Sequence, residues 1–484
     1  MLLRFLRSFR KMAQAPQMPL VVIIGATGTG KSKLAVDLAL RFNGEIINGD
    51  AMQLYAGLPV ITNKITEEEK QGIPHHLLGC IGLDEPTWTV GQFVPRALKT
   101  IDEIRSRGKL PILVGGTHYY TQSLLFKDVL ADADGENKAI EDSHQEFSIL
   151  QEPTETILKR LKEVDPVMAD RWHPNDRRKI QRSLEIWLKT GKPASQVYEE
   201  QRARRKLTPL EEGDASRVGD GQTSESLMRF PALLLWVHAE TEKLRLRLDS
   251  RVDTMLKQGL LSEVASLDKF LRAKEAEGQP VNRSRGIWVS IGYKEFEAYQ
   301  KAINAANVPE SDITKLKNLA IEQTQSATRQ YAKRQIRWIR IKLLHALQEA
   351  GGQHTLFVLD STDLARWKES VMKPAYSLVD HFLDGKALSD PSTIAPVAEE
   401  LLTPKREYDL SQRRDLWERR YCEACKMIAV TESDWNAHFK SRSHRKAVSS
   451  KKKQTSAPER QAITESKVID SEDSREGIMH SFIS

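Results

Sequence analysis

Eight residues constrain this chain more than any others: Gly25-Ala26-Thr27-Gly28-Thr29-Gly30-Lys31-Ser32, directly after the apolar run Leu20 to Ile24. A buried strand that enters glycines and leaves as a helix opening at Lys31 is the setting in which G-x-x-x-x-G-K-[ST] cradles phosphates. Glycines permit turns at positive φ that aim successive backbone N–H groups inward. The helix N-terminus adds partial positive charge, Lys31 adds a full one, and Ser32 offers a hydroxyl to Mg²⁺. The string predicts an α/β core that holds a phosphate compound, without saying which.

The surrounding pattern agrees with such a core. From Leu20 to about Leu125 strands and helices alternate, with short strands read at Glu45–Asn48 and Leu110–Val114, the latter ending in Gly115-Gly116-Thr117. Alternation implies a parallel sheet covered by helices, with ligands outside the carboxyl ends of the strands. Asp50 and Thr117 belong at that edge. No apolar strand ends in Asp at the usual place for a second Mg²⁺ ligand, which disfavours ATP hydrolysis.

The chain's 484 residues exceed what one core accommodates. Residues 18–131 and 231–385 read as a P-loop core, interrupted at 132–230 by amphipathic helical patterns including Thr154–Val164 and Asp176–Lys189. A polar break spans Glu211–Ser226, and strand signals resume at Ala232–Val237. Thr241–Lys257 and Asp312–Ala346 read as long helices, Thr355–Asp360 as a strand, and 386–411 as a Ser-, Pro- and Ala-rich linker.

A formal charge of +7 is modest, but the cations cluster, which points to a polyanionic partner. Arg171, Arg177, Arg178, Lys179 and Arg182 could follow an RNA backbone, with Gln181 placed to hydrogen-bond a base. The plainer alternative is a solvated helix face. Three cysteines exclude a disulfide framework, and no apolar run reaches membrane-spanning length, so no membrane is expected as a partner. Met1–Lys11 carries Arg4, Arg7, Arg10 and Lys11, no acidic residue, and apolar residues between them, as a mitochondrial presequence does. With Met12 as a second start, two products are expected, one mitochondrial and one cytoplasmic or nuclear; residues 1–17 are the targeting segment.

Near the other end, Cys422-x2-Cys425-x12-His438-x5-His444 has the spacing of a tetrahedral structural Zn²⁺ site. Two thiolates from a hairpin and two imidazoles from a helix would make a ββα finger over 412–448, followed by a basic, disordered tail over 449–484. Cys80 reads as a small buried residue.

Several strings in order resemble the tRNA isopentenyltransferases (tRNA dimethylallyltransferases) of the eukaryotic type. They are Gly49-Asp50-Ala51-Met52-Gln53-Leu54-Tyr55, Ile61-Thr62-Asn63-Lys64, His75-His76-Leu77-Leu78, and Val114-Gly115-Gly116-Thr117-His118-Tyr119-Tyr120. Further on come Asp176 to Glu185, Thr190-Gly191-Lys192-Pro193 and Ala327 to Gln335. Ala51 departs from the Ser common in the family. The resemblance implies transfer of a dimethylallyl group from dimethylallyl pyrophosphate to N6 of the adenosine 3′ of a tRNA anticodon. The partner is then the tRNA anticodon arm.

An adenine amino group is a poor nucleophile, so a base must take its proton; Asp50 is the candidate. The plainer alternative for Asp50 is a cap on a helix beginning at Ala51. Stabilising the departing pyrophosphate falls to the loop N–H groups, Lys31, Ser32 with Mg²⁺, Thr117, Arg247 and Arg251. The extruded base would meet Asp50, Ala51, Met52 and Gln53, and the resemblance places Lys179, Ile180, Gln181, Arg182 and Ser183 against tRNA. The rivals are an adenylate isopentenyltransferase or small-molecule kinase, and a non-catalytic RNA-binding protein. Neither the helical insertion nor the finger is needed by an enzyme acting on free nucleotide.

Overall fold

A computed structural model describes residues 16–127, 147–206, 227–404 apart from 280, 284 and 306, and 417–455. The presequence-like segment, the polar break at Glu211–Ser226 and most of the tail lie outside the described residues. The chain divides into two compact units, one within Met1–Asp134 and Arg205–Asp409, the other within Gly135–Arg204 and Leu410–Ser484.

The first unit is built on six parallel strands: β1 (Leu20–Gly25), β2 (Gly44–Asn48), β3 (His75–His76), β4 (Leu110–Val114), β5 (Ala232–His238) and β6 (Leu356–Asp360). Their spatial order is β3-β2-β4-β1-β5-β6. Central strands are apolar on both faces because both faces are covered. Leu20, Val22 and Ile24 point into one core, while Val21 and Ile23 point into the other.

Helix α1 (Lys31–Arg41) covers the second face; α2 (Glu67–Lys70) is a single capped turn before β3. On the first face lie α3 (Val90–Ser106) and α4 (His118–Leu125). Edge strand β3 is pinned by buried Glu45, which binds His76 Nε2 at 2.6 Å, Arg107 at 2.6 Å and Lys109 at 3.0 Å. Burial alone would raise Glu45, but these partners bring its pKa down to about 2.

After α4 the chain departs through a neck in which Lys127 N–H donates to Leu227 O at 2.9 Å and Arg229 N–H to Leu125 O at 2.8 Å. The excursion carries α5 (Thr154–Val164), α6 (Pro166–Arg171), α7 (Arg177–Thr190) and α8 (Ala194–Lys206). Asp165 caps α6 through Met168 N–H at 3.1 Å and also receives Ser195 N–H at 2.8 Å, tying α6 to the start of α8. α5 has the bounds the periodicity predicts and α7 lies one residue beyond the predicted Asp176–Lys189, because each buries one apolar stripe, such as Ile157, Leu158 and Leu161 on α5.

Back in the first unit follow α9 (Thr241–Lys257), α10 (Leu260–Ala276), α11 (Glu297–Asn304) and α12 (Glu310–Trp338). The long helix read over Asp312–Ala346 is not one α-helix: a π turn at Ile339–Leu343 separates α12 from α13 (Leu344–Glu349). After β6 come α14 (Lys373–Leu383) and α15 (Ala398–Leu402). The linker assigned to 386–411 is corrected here. Its described part is folded, with Ala395, Ala398 and Leu401 buried in the same core as Leu20 and Trp236. Composition misled because alanines fill narrow gaps in a core as readily as they occur in linkers.

The finger consists of strands β7 (Trp417–Cys422) and β8 (Met427–Thr431), antiparallel, then α16 (Glu432–Phe439) and α17 (Arg442–Thr455). α17 continues past the expected finger boundary into the stretch read as tail. Within the second unit Arg419 and Asp170 form an ion pair at 3.6 Å. Among the described residues no helix is long and apolar enough to cross a membrane.

Candidate active site

Three loops meet at the carboxyl edge of the sheet: Ala26–Gly30 after β1, Gly49–Ala51 after β2 and Gly115–Thr117 after β4. In the first, Gly28 and Gly30 adopt φ of 80° and 92°, values that side-chain-bearing residues avoid. Ala26 and Thr29 are buried, and Thr29 Oγ1 donates to Ala26 O at 2.9 Å, which closes the loop on itself. Lys31 Nζ folds back to Ala26 O at 2.7 Å, so the ammonium stands over the loop. Ser32 is exposed beside it in the first turn of α1.

Asp50 does two things at once. Its Oδ1 accepts Met52 N–H at 3.0 Å, just ahead of a 3₁₀ turn over Met52–Leu54 rather than a helix beginning at Ala51. Its Oδ2 lies toward Gly116, where an added Cβ would sit 2.9 Å from that oxygen and 2.5 Å from Gln335 Nε2. A side chain at Gly116 would displace Gln335 or Asp50. Burial pushes the Asp50 carboxyl above its ordinary value, against the Met52 N–H and the Lys31 charge. Burial pulls Lys31 the other way, down to about 8, with Asp50 raising it and Arg251 lowering it further.

Three residues to which sequence reasoning gave no role at the site build this arrangement. Buried Asn48 donates from Nδ2 to Asp50 O at 3.0 Å and to Leu77 O at 2.8 Å, while its Oδ1 receives Asp50 N–H at 2.9 Å. Buried Gln335 of α12 accepts Thr27 N–H at 2.8 Å and donates to Gly116 O at 2.9 Å, stapling the phosphate loop to the β4 loop. Tyr331, one turn earlier, has its phenol raised by burial and by Asp50, and reaches Gln335 and Thr117. The available signal was polar residues at core positions: Asn ending an apolar strand, and Tyr331 and Gln335 at i, i+4 on a buried helix face.

Of the remaining sequence-derived residues, Thr117 Oγ1 accepts Ala51 N–H at 3.0 Å, and Gln53 Nε2 donates to Asn63 O at 2.8 Å. Arg251 reaches the loop, with Nη1 3.4 Å from Thr27 Oγ1. Among the described residues no hydrogen bond brings Arg247 there: its Nη2 donates to Thr362 O at 2.6 Å, with Asp360 and Asp363 nearby.

The α7 cluster needs correction. Ile180 and Ser183 are buried, the latter accepting Trp172 Nε1–H at 2.8 Å, and Gln181 Nε2 donates to Leu150 O at 2.9 Å. Arg177 turns inward to Leu150 O and Glu152 O. Lys179 pairs with Asp176 at 2.8 Å and Arg182 with Glu185 at 3.0 Å, leaving both on the surface. An α-helix cannot present five consecutive residues to one ligand, since they span more than a full turn. Cys80, read as buried, is exposed.

Cys422, Cys425, His438 and His444 place one donor atom each within 4.8 Å of one another. Both sulfurs lie 3.5 Å from His444 Nδ1. Tetrahedral zinc with ordinary Zn–S and Zn–N bonds requires an S···N separation of about 3.6 Å, so the donors fit it. His438 comes from α16 and His444 from α17, two helices where one was expected.

The charges here predict a pH dependence. Because Lys31 is depressed to about 8, its cation is lost as pH rises through that value, so affinity for inorganic pyrophosphate should fall there. Lys31→Arg keeps the charge and should remove the step. Calorimetric titration at several pH values checks this, and an unaltered step in the variant would take Lys31 out of the phosphate site.

The family model described as IPP transferase matches residues 53–342. The tRNA dimethylallyltransferase of Schizosaccharomyces pombe is 38% identical over 90% of this chain and 96% of its own length. That of Homo sapiens is 34% identical over 88% and 85%. A crystal structure of a eukaryotic dimethylallyltransferase acting on tRNA superposes with a TM-score of 0.69 at 31% identity, covering 92% of this chain and 99% of that one. A parallel sheet with a phosphate loop, a carboxylate facing it and likeness of this extent lead to one conclusion: the chain belongs to the IPP transferase family.

Proposed function

We propose that the protein is a tRNA dimethylallyltransferase, moving the dimethylallyl group of dimethylallyl pyrophosphate to N6 of the adenosine 3′-adjacent to the anticodon. The observation that carries this is Asp50 held between the Lys31 loop and Thr117, with its Oδ1 occupied and Oδ2 directed to the junction of loops. N6 attacks the allylic carbon, the C–O bond to pyrophosphate breaks, and the N6 proton passes to the Asp50 carboxylate. A raised carboxyl is a better proton acceptor than an ordinary one. Developing negative charge on pyrophosphate meets the loop N–H groups, Lys31 and Arg251, donors already in place before reaction. Ser32, exposed at the start of α1, is the residue to hold Mg²⁺, which would neutralise part of that charge. The finger residues Cys422, Cys425, His438 and His444 would hold a structural Zn²⁺, whose role would be folding rather than catalysis.

Incubation with labelled dimethylallyl pyrophosphate, Mg²⁺ and unmodified tRNA or AMP tests the reading. Label is expected in tRNA and not in AMP. Label only in AMP supports an adenylate isopentenyltransferase, and label in neither, with tRNA bound, supports a non-catalytic RNA-binding protein.

A further inference from the structure

Beside the catalytic loops is an aromatic pair for which the chemistry above has no use. Tyr119 is 42% exposed, a large aromatic left in water two residues after Thr117. Its ring centroid lies 5.9 Å from that of Trp338, with planes at 63°. Trp338 is fixed in orientation, since its Nε1–H donates to Gln122 Oε1 at 3.1 Å. Tyr119 and Gln122 share α4, so α4 and α12 hold the pair between them.

The same stretch of α12 supplies charge. Tyr331, Gln335 and Trp338 fall at i, i+4 and i+7 and form one line along the helix, with Arg334 and Arg337 adjoining it. Lys333, Arg334 and Arg337 are exposed and have no carboxylate partner among the described residues. Nearby cations of the helix are used otherwise: Arg329 pairs with Asp249 and Arg340 with Glu400. Exposed aromatic surface edged by unpaired cations suits a ligand with flat faces and a negative backbone, which is single-stranded nucleic acid. A duplex hides its base faces by stacking.

We propose that Tyr119, backed by Trp338, is a stacking platform for the unpaired base adjacent to the reacting adenosine, with Arg334 and Arg337 receiving the flanking phosphates. The proposal rests on the tRNA reading above and deepens it by assigning a second base-binding position. Extruding one adenosine breaks its stacking with a neighbour. A platform one helical turn from Gln335 restores that contact on protein.

The test is a cycle between protein and RNA. Affinity is measured for an unmodified anticodon stem-loop and for two copies in which the base 5′ or 3′ of the target adenosine is abasic. Tyr119→Ala should weaken binding of the intact loop by about 10-fold and have no effect on one of the abasic loops. Tyr119→Phe should restore affinity, and pyrophosphate binding should be the same in all three proteins, which excludes misfolding. Unchanged affinity in Tyr119→Ala, or an equal loss on all three RNAs, overturns the platform. Transfer by the wild-type protein to the same intact loop is scored in parallel. Transfer without a Tyr119 effect sinks the platform alone, whereas a Tyr119 effect without transfer sinks the enzymatic reading and leaves the platform standing.

Discussion

Replacing Asp50 by asparagine is expected to lower the transfer rate by about 10²- to 10⁴-fold while tRNA and pyrophosphate still bind. Asparagine retains an oxygen for Met52 N–H, so that hydrogen bond and the shape of the loop are kept. What is lost is the proton acceptor. Alanine removes that hydrogen bond as well, and comparing the two substitutions separates the structural share from the chemical one. A second signature accompanies the asparagine variant. Asp50 raises the Lys31 pKa, so without that charge the alkaline loss of pyrophosphate affinity should move to lower pH. Single-turnover kinetics with saturating tRNA measure the first effect and titration the second. A near-normal rate in Asp50→Asn would show that the proton leaves by another route.

Removing zinc should have an equally large but local effect. Structural zinc sites of this composition contribute about 10–16 kcal/mol of apparent binding energy, which in so small a fold is the folding energy itself. The finger has few buried apolar residues among those described, Ala429 and the ligand Cys422 among them, so little else holds β7 and β8 to α16. Chelation, or Cys422→Ser, should therefore abolish finger structure and release one zinc per chain, while the P-loop unit melts as before. If the finger clamps tRNA, its unfolding raises the tRNA Kd and flattens the salt dependence in proportion to the phosphates the finger had neutralised. Unchanged affinity and slope would leave the finger without a role in RNA binding.

How far the chain could be read in advance differs from element to element. β1 and α1 were legible because a buried strand, a glycine turn and a helix start each leave a local mark, and here all three agree. Helices α5 and α9 were legible from one apolar stripe each. The π turn at 339–343 was not, because an added residue in a helix leaves the composition unchanged. Nor was the folding of 391–402, where small residues are core.

By itself the sequence determined the chemistry on offer: a phosphate loop ending in Lys31 and Ser32, a carboxylate at Asp50 and a tetrad of zinc donors. Spacing along a chain is enough for these because each is recognised within a few residues. Only the tertiary structure decided which of them cooperate. It brought Arg251 and not Arg247 to Thr27, turned Ile180, Gln181 and Ser183 inward, and let Gln335 join two loops more than two hundred residues away in sequence. The reason is geometric: side chains one helical turn apart are equivalent in pattern, and the sheet on which the helix rests selects the one that reaches the site.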